Sequence, residues 1–404
     1  MIVVGALMFH QLHDGGMLMQ GYALRTAVDL YSGCGGLTTG MKRAGFRVVG
    51  AIENDASAAR VYSANHPEVF LACKDIRDVE ADEFRDRLGL SRGELTVLAA
   101  CAPCQGFSRH RRGGSDLSKN LLVLEILRFV QAFLPLVVFI ENVPELAKHP
   151  HRGILQQFRE GLERLGYDRQ CSKIVNAADY GVPQIRRRLT LLATRSRRVD
   201  VGIPAGDYAN PRIALAQGKK PWRTVRQAIG HLPGVSAGER SSFHPLHVGP
   251  ELSERNLARL RSVPRDGGSR SDLPEEYRLA CHGRTTGYPD TYGRMKWDEP
   301  ARTLTTGCTS ITKGRYGHPE QDRALTPLEA ALLQTFPLDY EFDSRPSVTA
   351  RLVGNAVPVD LAYGIFRVLS DRIDSLTHRG NSVTAQLSAK VGLSRGEVTC
   401  RYAE

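Results

Sequence analysis

The chain has 404 residues, 42% of them hydrophobic, and is therefore long enough to bury a substantial core as an ordinary soluble globular protein. Lys and Arg number 54 against 43 Asp and Glu, and the net charge of +11 favours an anionic partner, nucleic acid before an anionic membrane. Eight irregularly spaced cysteines and the absence of a secretory signal argue against a secreted disulfide framework, and predict reduced thiols and a cytoplasmic location.

The first predicted elements are a strand, a glycine-rich loop and a helix. Residues 25–31 are typical of a buried strand, Ser32 to Gly36 form the loop, and a helical pattern follows through Ala44. Such a unit brings backbone N–H groups close to a ligand. The next predicted strand ends at Glu53, where a carboxylate can bind ribose hydroxyls. The loop lacks the G-x-G-x-x-G pattern, which favours a nucleoside-type cofactor without a pyrophosphate; a plain glycine turn is the alternative.

Two further candidate sites follow predicted strands. Asp75 and Ile76 come after a short strand and are candidates for an adenine edge, although an Asp at a strand end is also an ordinary turn former. The apolar run from Thr96 to Ala100 predicts a strand that Pro103 ends, so that Cys104 lies where the chain leaves the sheet. The basic, glycine-containing residues 109–114 then predict either a mobile flap with phosphate contacts or a solvated loop.

The following region supplies a carboxylate and a group of arginines. A helix is predicted over residues 121–133, and the apolar strand after it ends in Glu141. A second helix is predicted over 151–166 and further strands near Ile174 and over 189–193. Arg186 and Arg188 alternate with a strand period and are expected to face the same side, at a site or at a solvated edge.

Composition changes at Arg195 to Pro, Gly, Ser and charged residues, which indicates a change of domain. Later, Thr326 and Pro327 predict the start of a helix, residues around Gly354 predict a turn, and a closing helix is predicted over about 360–376. Basic and aromatic residues in the intervening region suit contact with a polymer; they are Arg284, Tyr288, Tyr292, Arg294, Lys296 and Lys313.

Together, the predicted strand ends offer a cysteine, a carboxylate and two arginines beside a nucleoside site. Neighbouring arginines can lower the pKa of a thiol, and a carboxylic acid can hydrogen-bond a ring nitrogen and so favour thiol addition to a heterocycle. A zinc site or a redox dithiol at Cys101 and Cys104 is the competing interpretation. No second C-x-x-C follows it, and the motif does not open a small βαβ domain, so both are disfavoured.

These motifs, in this order, make the chain resemble the DNA (cytosine-5) methyltransferases of bacterial restriction-modification type. The resemblance covers roughly residues 25–193 and 322–370. Tyr31 stands where that family usually has Phe, and Cys101-Ala102 replaces the usual Gly-Pro lead-in. The motifs that carry the resemblance are Asp29 to Gly36, Glu53-Asn54-Asp55, Asp75-Ile76, Pro103-Cys104-Gln105, Glu141-Asn142-Val143, Gln184 to Arg188, Leu325 to Pro337, and Gly354 to Pro358.

The resemblance implies a role for each matching residue. Cys104 would add to C6 of cytosine, Glu141 would contact N3 and the amino group, and Arg188 with Arg186 would hold the base and the activated site. The base would be flipped out of the duplex, and loss of the C5 proton would release the enzyme by β-elimination. S-adenosyl-L-methionine would be the cofactor, without any metal, on Tyr31, Gly33, Gly35, Gly36, Glu53, Asp75, Ile76, Pro103, Leu122, Asn355 and Val357.

The predicted fold class is α/β, a Rossmann-like methyltransferase sheet with an inserted target-recognition domain. The expected division is an N-terminal extension 1–23, a catalytic domain 24–199, a recognition domain 200–335, a returning segment 336–378 and a tail 379–404. Expected partners are double-stranded DNA and a separately acting endonuclease, with a monomeric enzyme associated with the nucleoid. Three alternatives stay open: a tRNA methyltransferase of the same family, a Rossmann oxidoreductase, which would leave the cysteine and Glu141 motifs unexplained, and a non-catalytic DNA-binding module.

Overall fold

A computed structural model describes residues 25–103, 121–279 and 290–390, with side chains up to residue 375. The predicted nucleophile Cys104, its neighbour Gln105 and the predicted flap at 109–114 lie outside these residues, as do Arg284 and Tyr288.

A seven-stranded sheet forms the centre of the molecule, in the order β3-β2-β1-β4-β5-β7-β6. Strands β1 to β5 are parallel, whereas β7 runs antiparallel to both of its neighbours. The strands are β1 Thr26–Leu30, β2 Arg47–Ile52, β3 Phe70–Ala72, β4 Val97–Ala100, β5 Val137–Asn142, β6 Arg169–Asn176 and β7 Arg187–Thr194; Tyr208–Ala209 (β8) and Lys220–Pro221 (β9) form a separate pair.

The three central strands are apolar because both faces of the sheet are covered. Every residue of β1, β4 and β5 is buried, as expected for parallel strands between two helical layers. The strand order reverses between β1 and β4, so the chain leaves these two strands in opposite directions and a crevice forms at their carboxyl ends. The sequence predicts the candidate site residues at these strand ends, and therefore in this crevice.

Helices lie on both sides of the sheet. One apolar layer packs α3, α4 and α5 against one face, and a second packs α1 and α11 against the other. The predicted doubly wound α/β fold is thereby confirmed. The helices are α1 Gly36–Arg43, α2 Ala56–Asn65, α3 Ala81–Arg87, α4 Leu122–Phe133, α5 Arg152–Arg164, α6 Pro211–Ala214, α7 Val225–Ile229, α8 Glu254–Ser262, α9 Pro327–Leu333, α10 Pro346–Asn355 and α11 Val359–Lys390.

The C-terminal helices correct one prediction. Gly354 does not make a turn but lies inside α10, where an added Cβ would come within 2.3 Å of the carbonyl of Thr305; the glycine serves close packing. By length and apolar composition the stretch Pro346–Ser375 could cross a membrane, but 67% of its apolar 18-residue window is buried inside the protein. It belongs to two helices that cover the core, which accounts for its apolar character.

Residues between β7 and α9 contribute to two apolar clusters. One joins α7 and the region around Trp297 to α9 and α10, and a smaller one surrounds Leu260. Arg294 is buried at the smaller cluster and donates hydrogen bonds to the carbonyls of Leu260 and His318, among others, so it holds this region together instead of facing a polymer. Tyr292 is buried as well. The boundaries at residues 199 and 335 stay predictions.

Folding stability should depend on pH through His318. Its Nδ1 accepts hydrogen bonds from the backbone N–H groups of Glu320 and Gln321, and burial lowers the pKa of the imidazole to about 4. A histidine with a lowered pKa in the folded state binds protons more readily when unfolded, so its contribution to stability is present above pH 6.5 and declines as the pH falls towards 4.

His318→Asn keeps an acceptor but cannot titrate. Urea unfolding between pH 7 and 4.5 should show the wild type losing stability relative to this variant, at up to about 1.4 kcal/mol per pH unit. Parallel stability curves for the two proteins would show that His318 does not titrate on unfolding in this range.

Candidate active site

The glycine loop between β1 and α1 is bonded to the end of β2. The backbone N–H of Gly33 donates to Oε2 of Glu53 at 2.8 Å, and the other carboxylate oxygen accepts from the N–H of Asp55 at 2.7 Å. Burial raises the pKa of Glu53. Each carboxylate oxygen has a second lone pair, so Glu53 is still able to accept hydrogen bonds from the hydroxyls of a ligand.

The loop glycines meet different surroundings. Gly33 and Gly35 have positive φ angles of 56° and 92°, which suit glycine. A Cβ on Gly33 would meet nothing within 4 Å, whereas one on Gly35 would come within 2.6 Å of the His66 and Tyr340 side chains, and one on Gly36 within 2.3 Å of the Val357 carbonyl. Gly35 and Gly36 therefore let the loop pack against the protein, and Gly33 borders open space.

Aromatic and acidic groups border the same edge of the sheet. The Tyr31 hydroxyl donates to the carbonyl of Leu122 at 2.7 Å, which brings two predicted cofactor residues together, and burial raises the Tyr31 pKa above its usual range. Asp75 accepts from the backbone N–H of Arg77 and from its guanidinium, which lowers the pKa of the carboxyl to about 2. Asp75 is therefore an ionised acceptor, and Ile76 beside it is buried.

Glu141 lies at the end of β5 and is nearly buried. The Nε of Arg188 approaches its Oε1 at 2.9 Å, and both side chains are at most 12% exposed. Since β4 and β5 are neighbours in register, with Ala100 opposite Ile140, Glu141 lies beside the segment that leads to Cys104. The sequence predicts Glu141 next to Cys104 if these two strands are neighbours; the strands are neighbours, and Cys104 itself lies outside the described residues.

Asn142 fastens the segment that precedes Cys104. Its Nδ2 donates to the carbonyl of Ala102 at 3.1 Å, while its Oδ1 accepts from the backbone N–H of Val143 at 2.8 Å. Pro103 follows directly and is partly exposed. The side chain next to Glu141 thus fixes the backbone two residues before the predicted nucleophile. Asn142 belongs to the predicted Glu141-Asn142-Val143 motif, but no role for it follows from the sequence alone.

The two predicted catalytic arginines are not side by side. Arg188 pairs with Glu141, but Arg186 is buried and donates to the carbonyls of Leu304, Gly354 and Ala356 at 2.8–3.1 Å. The expectation that both would hold the target base therefore needs correction. The strand period does not apply, because β7 begins at Arg187 and Arg186 lies before it. Arg186 connects the sheet to the C-terminal helices.

Cys101 lacks the low thiol pKa that is expected of the predicted nucleophile Cys104. Burial raises the pKa of its thiol well above the usual value, and the nearby charge of Glu141 adds to the effect. A thiol that stays protonated is a weak nucleophile and a poor metal ligand. Cys101 is therefore a packing neighbour of Glu141.

The carboxyl edge of the sheet fits S-adenosylmethionine. Open space borders Gly33, the partly buried Tyr31 lies at the same edge, and the carboxylates of Glu53 and Asp75 provide acceptors for hydroxyl and amino groups. Gly36 and Val357 meet at the far side of the loop, and Asn355, at the end of α10, has an exposed side chain. His66 and Tyr340 lie beside Gly35 but are distant from it in sequence, so no local sequence pattern predicts this contact.

Comparison with known proteins places the chain in one family. Residues 25–371 match the C-5 cytosine-specific DNA methylases. The chain is 36% identical to the type II methylase M.HgiDII of Herpetosiphon aurantiacus over 87% of this chain and 97% of that protein. It is 32% identical to the type II methyltransferase M1.HphI of Haemophilus parahaemolyticus, over 84% and 85% of the two chains.

Solved structures share the fold. A DNA modification methyltransferase encoded within an E. coli prophage superimposes with a TM-score of 0.65 at 23% identity, over 87% of this chain and all of that one. The Dnmt2 methyltransferase of S. pombe gives 0.54 at 18% identity, over 86% and 99%. The sheet described above is thus the fold of C5 methyltransferases.

Replacing Arg186 should reveal a structural role. In Arg186→Leu, the three carbonyls lose a buried cationic donor, and we expect the free energy of unfolding to fall by about 3 kcal/mol. Urea unfolding measures this loss directly. A variant as stable as the wild type but unable to transfer methyl groups would instead support the expectation that Arg186 holds the target base.

Cys101→Ala should retain most methyl-transfer activity, within about twofold, because the buried thiol is not ionised. The rate of tritiated methyl transfer to DNA is the measurement. An inactive variant, together with zinc in the wild-type protein, would support the competing zinc interpretation of Cys101 and Cys104.

Proposed function

Because the chain belongs to the family of C-5 cytosine-specific DNA methylases, its reaction is methyl transfer to C5 of cytosine in DNA, and we propose that the carboxyl edge of its sheet carries out that reaction. One observation supports this most directly. The Glu141–Arg188 pair lies beside the segment that Asn142 holds in front of Cys104, at the same edge as the open side of the glycine loop.

In the proposed reaction, the Cys104 thiolate attacks C6 of a cytosine flipped out of the duplex. The Glu141 carboxyl, in its protonated form, donates a proton to N3, while its other oxygen accepts from the exocyclic amino group; this stabilises the electron density that the attack moves into the ring. Arg188 orients the Glu141 carboxyl through the ion pair at 2.9 Å. C5 would then take the methyl group that the cofactor supplies, with S-adenosylhomocysteine as the leaving group. A base removes the C5 proton, the electron pair of that C–H bond re-forms the C5–C6 double bond and expels the cysteine thiolate from C6, and the N3 proton returns to Glu141.

The proposed cofactor site lies on the other side of the same crevice. The cofactor, S-adenosyl-L-methionine, supplies an electrophilic methyl group when bound. Glu53 would accept from the ribose hydroxyls, Asp75 and Ile76 would contact the adenine, and Tyr31 would stack on it. The loop and the remaining residues would complete the walls, namely Gly33, Gly35, Gly36, Pro103, Leu122, Asn355 and Val357.

The proposed DNA target is a specific duplex sequence, recognised by residues 200–335. A net charge of +11 supports contact with a polyanion, and the curated relatives carry type II methylase names, which supports a role in restriction-modification. A cognate endonuclease would then act as a separate protein on the same site. We further infer a monomeric enzyme in the cytoplasm that associates with the nucleoid through its DNA contacts.

Cys104→Ala tests the nucleophile. We expect it to abolish tritiated methyl transfer and covalent trapping on 5-fluorocytosine DNA while DNA binding survives, because only the sulfur that attacks C6 is removed. Cys73→Ala, at an exposed cysteine, is the matched control and should transfer and trap like the wild type. Methyl transfer by Cys104→Ala at a rate near that of the control would refute the assignment.

The substrate class is tested with the wild-type protein. Parallel assays on duplex DNA and on tRNA should show transfer to DNA, and bisulfite sequencing of DNA from a host that expresses the chain should show 5-methylcytosine in one sequence context. Transfer confined to tRNA would contradict the proposed duplex target.

A further inference from the structure

A chain of hydrogen bonds reaches the back of the glycine loop from outside the proposed cofactor site. The Tyr340 hydroxyl donates to the carbonyl of Cys34 at 2.5 Å. His66 lies next in the chain, with its Nε2 at 3.2 Å from that hydroxyl and its Nδ1 at 3.3 Å from Nζ of Lys42. The three side chains come from α1, the residue after α2 and the segment after α9.

The direction of these bonds follows from the chemistry of the groups. A lysine ammonium only donates, so Nδ1 of His66 must accept, and in the neutral ring the proton is then on Nε2. Nε2 therefore donates to the Tyr340 oxygen, and the Tyr340 hydroxyl donates onward to the Cys34 carbonyl. Burial and the Lys42 charge lower the pKa of His66 to about 4, which keeps the ring neutral near pH 7.

Packing leaves this arrangement little freedom. His66 and Tyr340 are 3% and 6% exposed, and the Tyr340 ring packs against Phe336 and Phe342. Gly35 fits only because it has no side chain, since a Cβ would come within 2.5 Å of the Tyr340 hydroxyl. Thr39 adds a bond on the same side, donating to the Gly35 carbonyl at 2.8 Å.

We propose that His66 and Tyr340, oriented by Lys42, are positioning residues that set the affinity for S-adenosylmethionine by holding the Cys34–Gly35 backbone from behind. This inference rests on the proposed cofactor site at the open side of the loop. A loop already held in its binding conformation does not have to be ordered when the ligand arrives, and this raises affinity without any contact to the ligand. The segment that supplies Tyr340 thereby contributes to cofactor binding from far along the chain.

Tyr340→Phe removes only the hydroxyl. Calorimetric titration with S-adenosylhomocysteine, which cannot react, should show binding about tenfold weaker than in the wild type, the effect of losing one buried hydrogen bond. The KM for S-adenosylmethionine should rise by a similar factor, while kcat at saturating cofactor stays within about twofold, because Tyr340 does not touch the reacting atoms.

Tyr167→Phe is the matched control, since the Tyr167 hydroxyl also donates to a buried carbonyl, that of Pro135, away from the loop. Both variants are titrated under conditions where urea unfolding shows them fully folded. Tyr167→Phe should bind S-adenosylhomocysteine like the wild type. Equal weakening in both variants would mean a general effect of lost stability and would overturn the proposal, as would unchanged binding in Tyr340→Phe.

His66 provides a rescue test. The amide of His66→Gln can accept from Lys42 and donate to Tyr340, so this variant should bind S-adenosylhomocysteine more tightly than His66→Leu, which can do neither. Equal binding by the two variants would overturn the role of His66. A wild-type protein that does not bind S-adenosylhomocysteine would contradict the proposed cofactor site itself, an outcome separate from a failure of the positioning residues.

Discussion

The parallel pairing of β4 between β1 and β5 is the interaction on which the proposed active site depends. Ala99 and Ala100 pair with Asp29 and Leu30 on one side and with Phe139 and Ile140 on the other. This register brings the glycine loop after β1, the segment before Cys104 and the Glu141 carboxylate to one edge. Because each group is carried by its own strand, a shift in the register of one strand would move its group away from the other two.

The sheet provides the edge, but the C-terminal third of the chain completes it. Arg186 donates to carbonyls in and after α10, Gly36 packs on the carbonyl of Val357, and Tyr340 bonds the loop at Cys34. Arg186 and Tyr340 donate hydrogen bonds to backbone carbonyls. Gly36 approaches the Val357 carbonyl closely because it has no side chain. The proposed catalytic edge is therefore supported by residues that are remote from it in sequence.

Carboxylates near the site acquire different properties from their surroundings. Asp75 is held ionised by Arg77, with its pKa lowered to about 2, whereas burial raises the pKa of Glu53. Asp29, buried beneath α1 with a hydrogen bond from Thr38, has its pKa raised to about 7. Proximity to the glycine loop alone does not decide the charge of an acidic group, since desolvation and the nearest cation act in opposite directions.

The sequence by itself determined the elements of the sheet and the family, because apolar runs, glycine loops and motif order are local features of the chain. It identified Glu141 and Arg188, and also the loop residues from Tyr31 to Gly36. It could not distinguish Arg186 from Arg188, nor find His66 and Tyr340 at Gly35, nor see that Gly354 lies within a helix. Those properties depend on which distant backbone atoms approach a side chain, and only the packing of the C-terminal helices against the rest of the fold decides that.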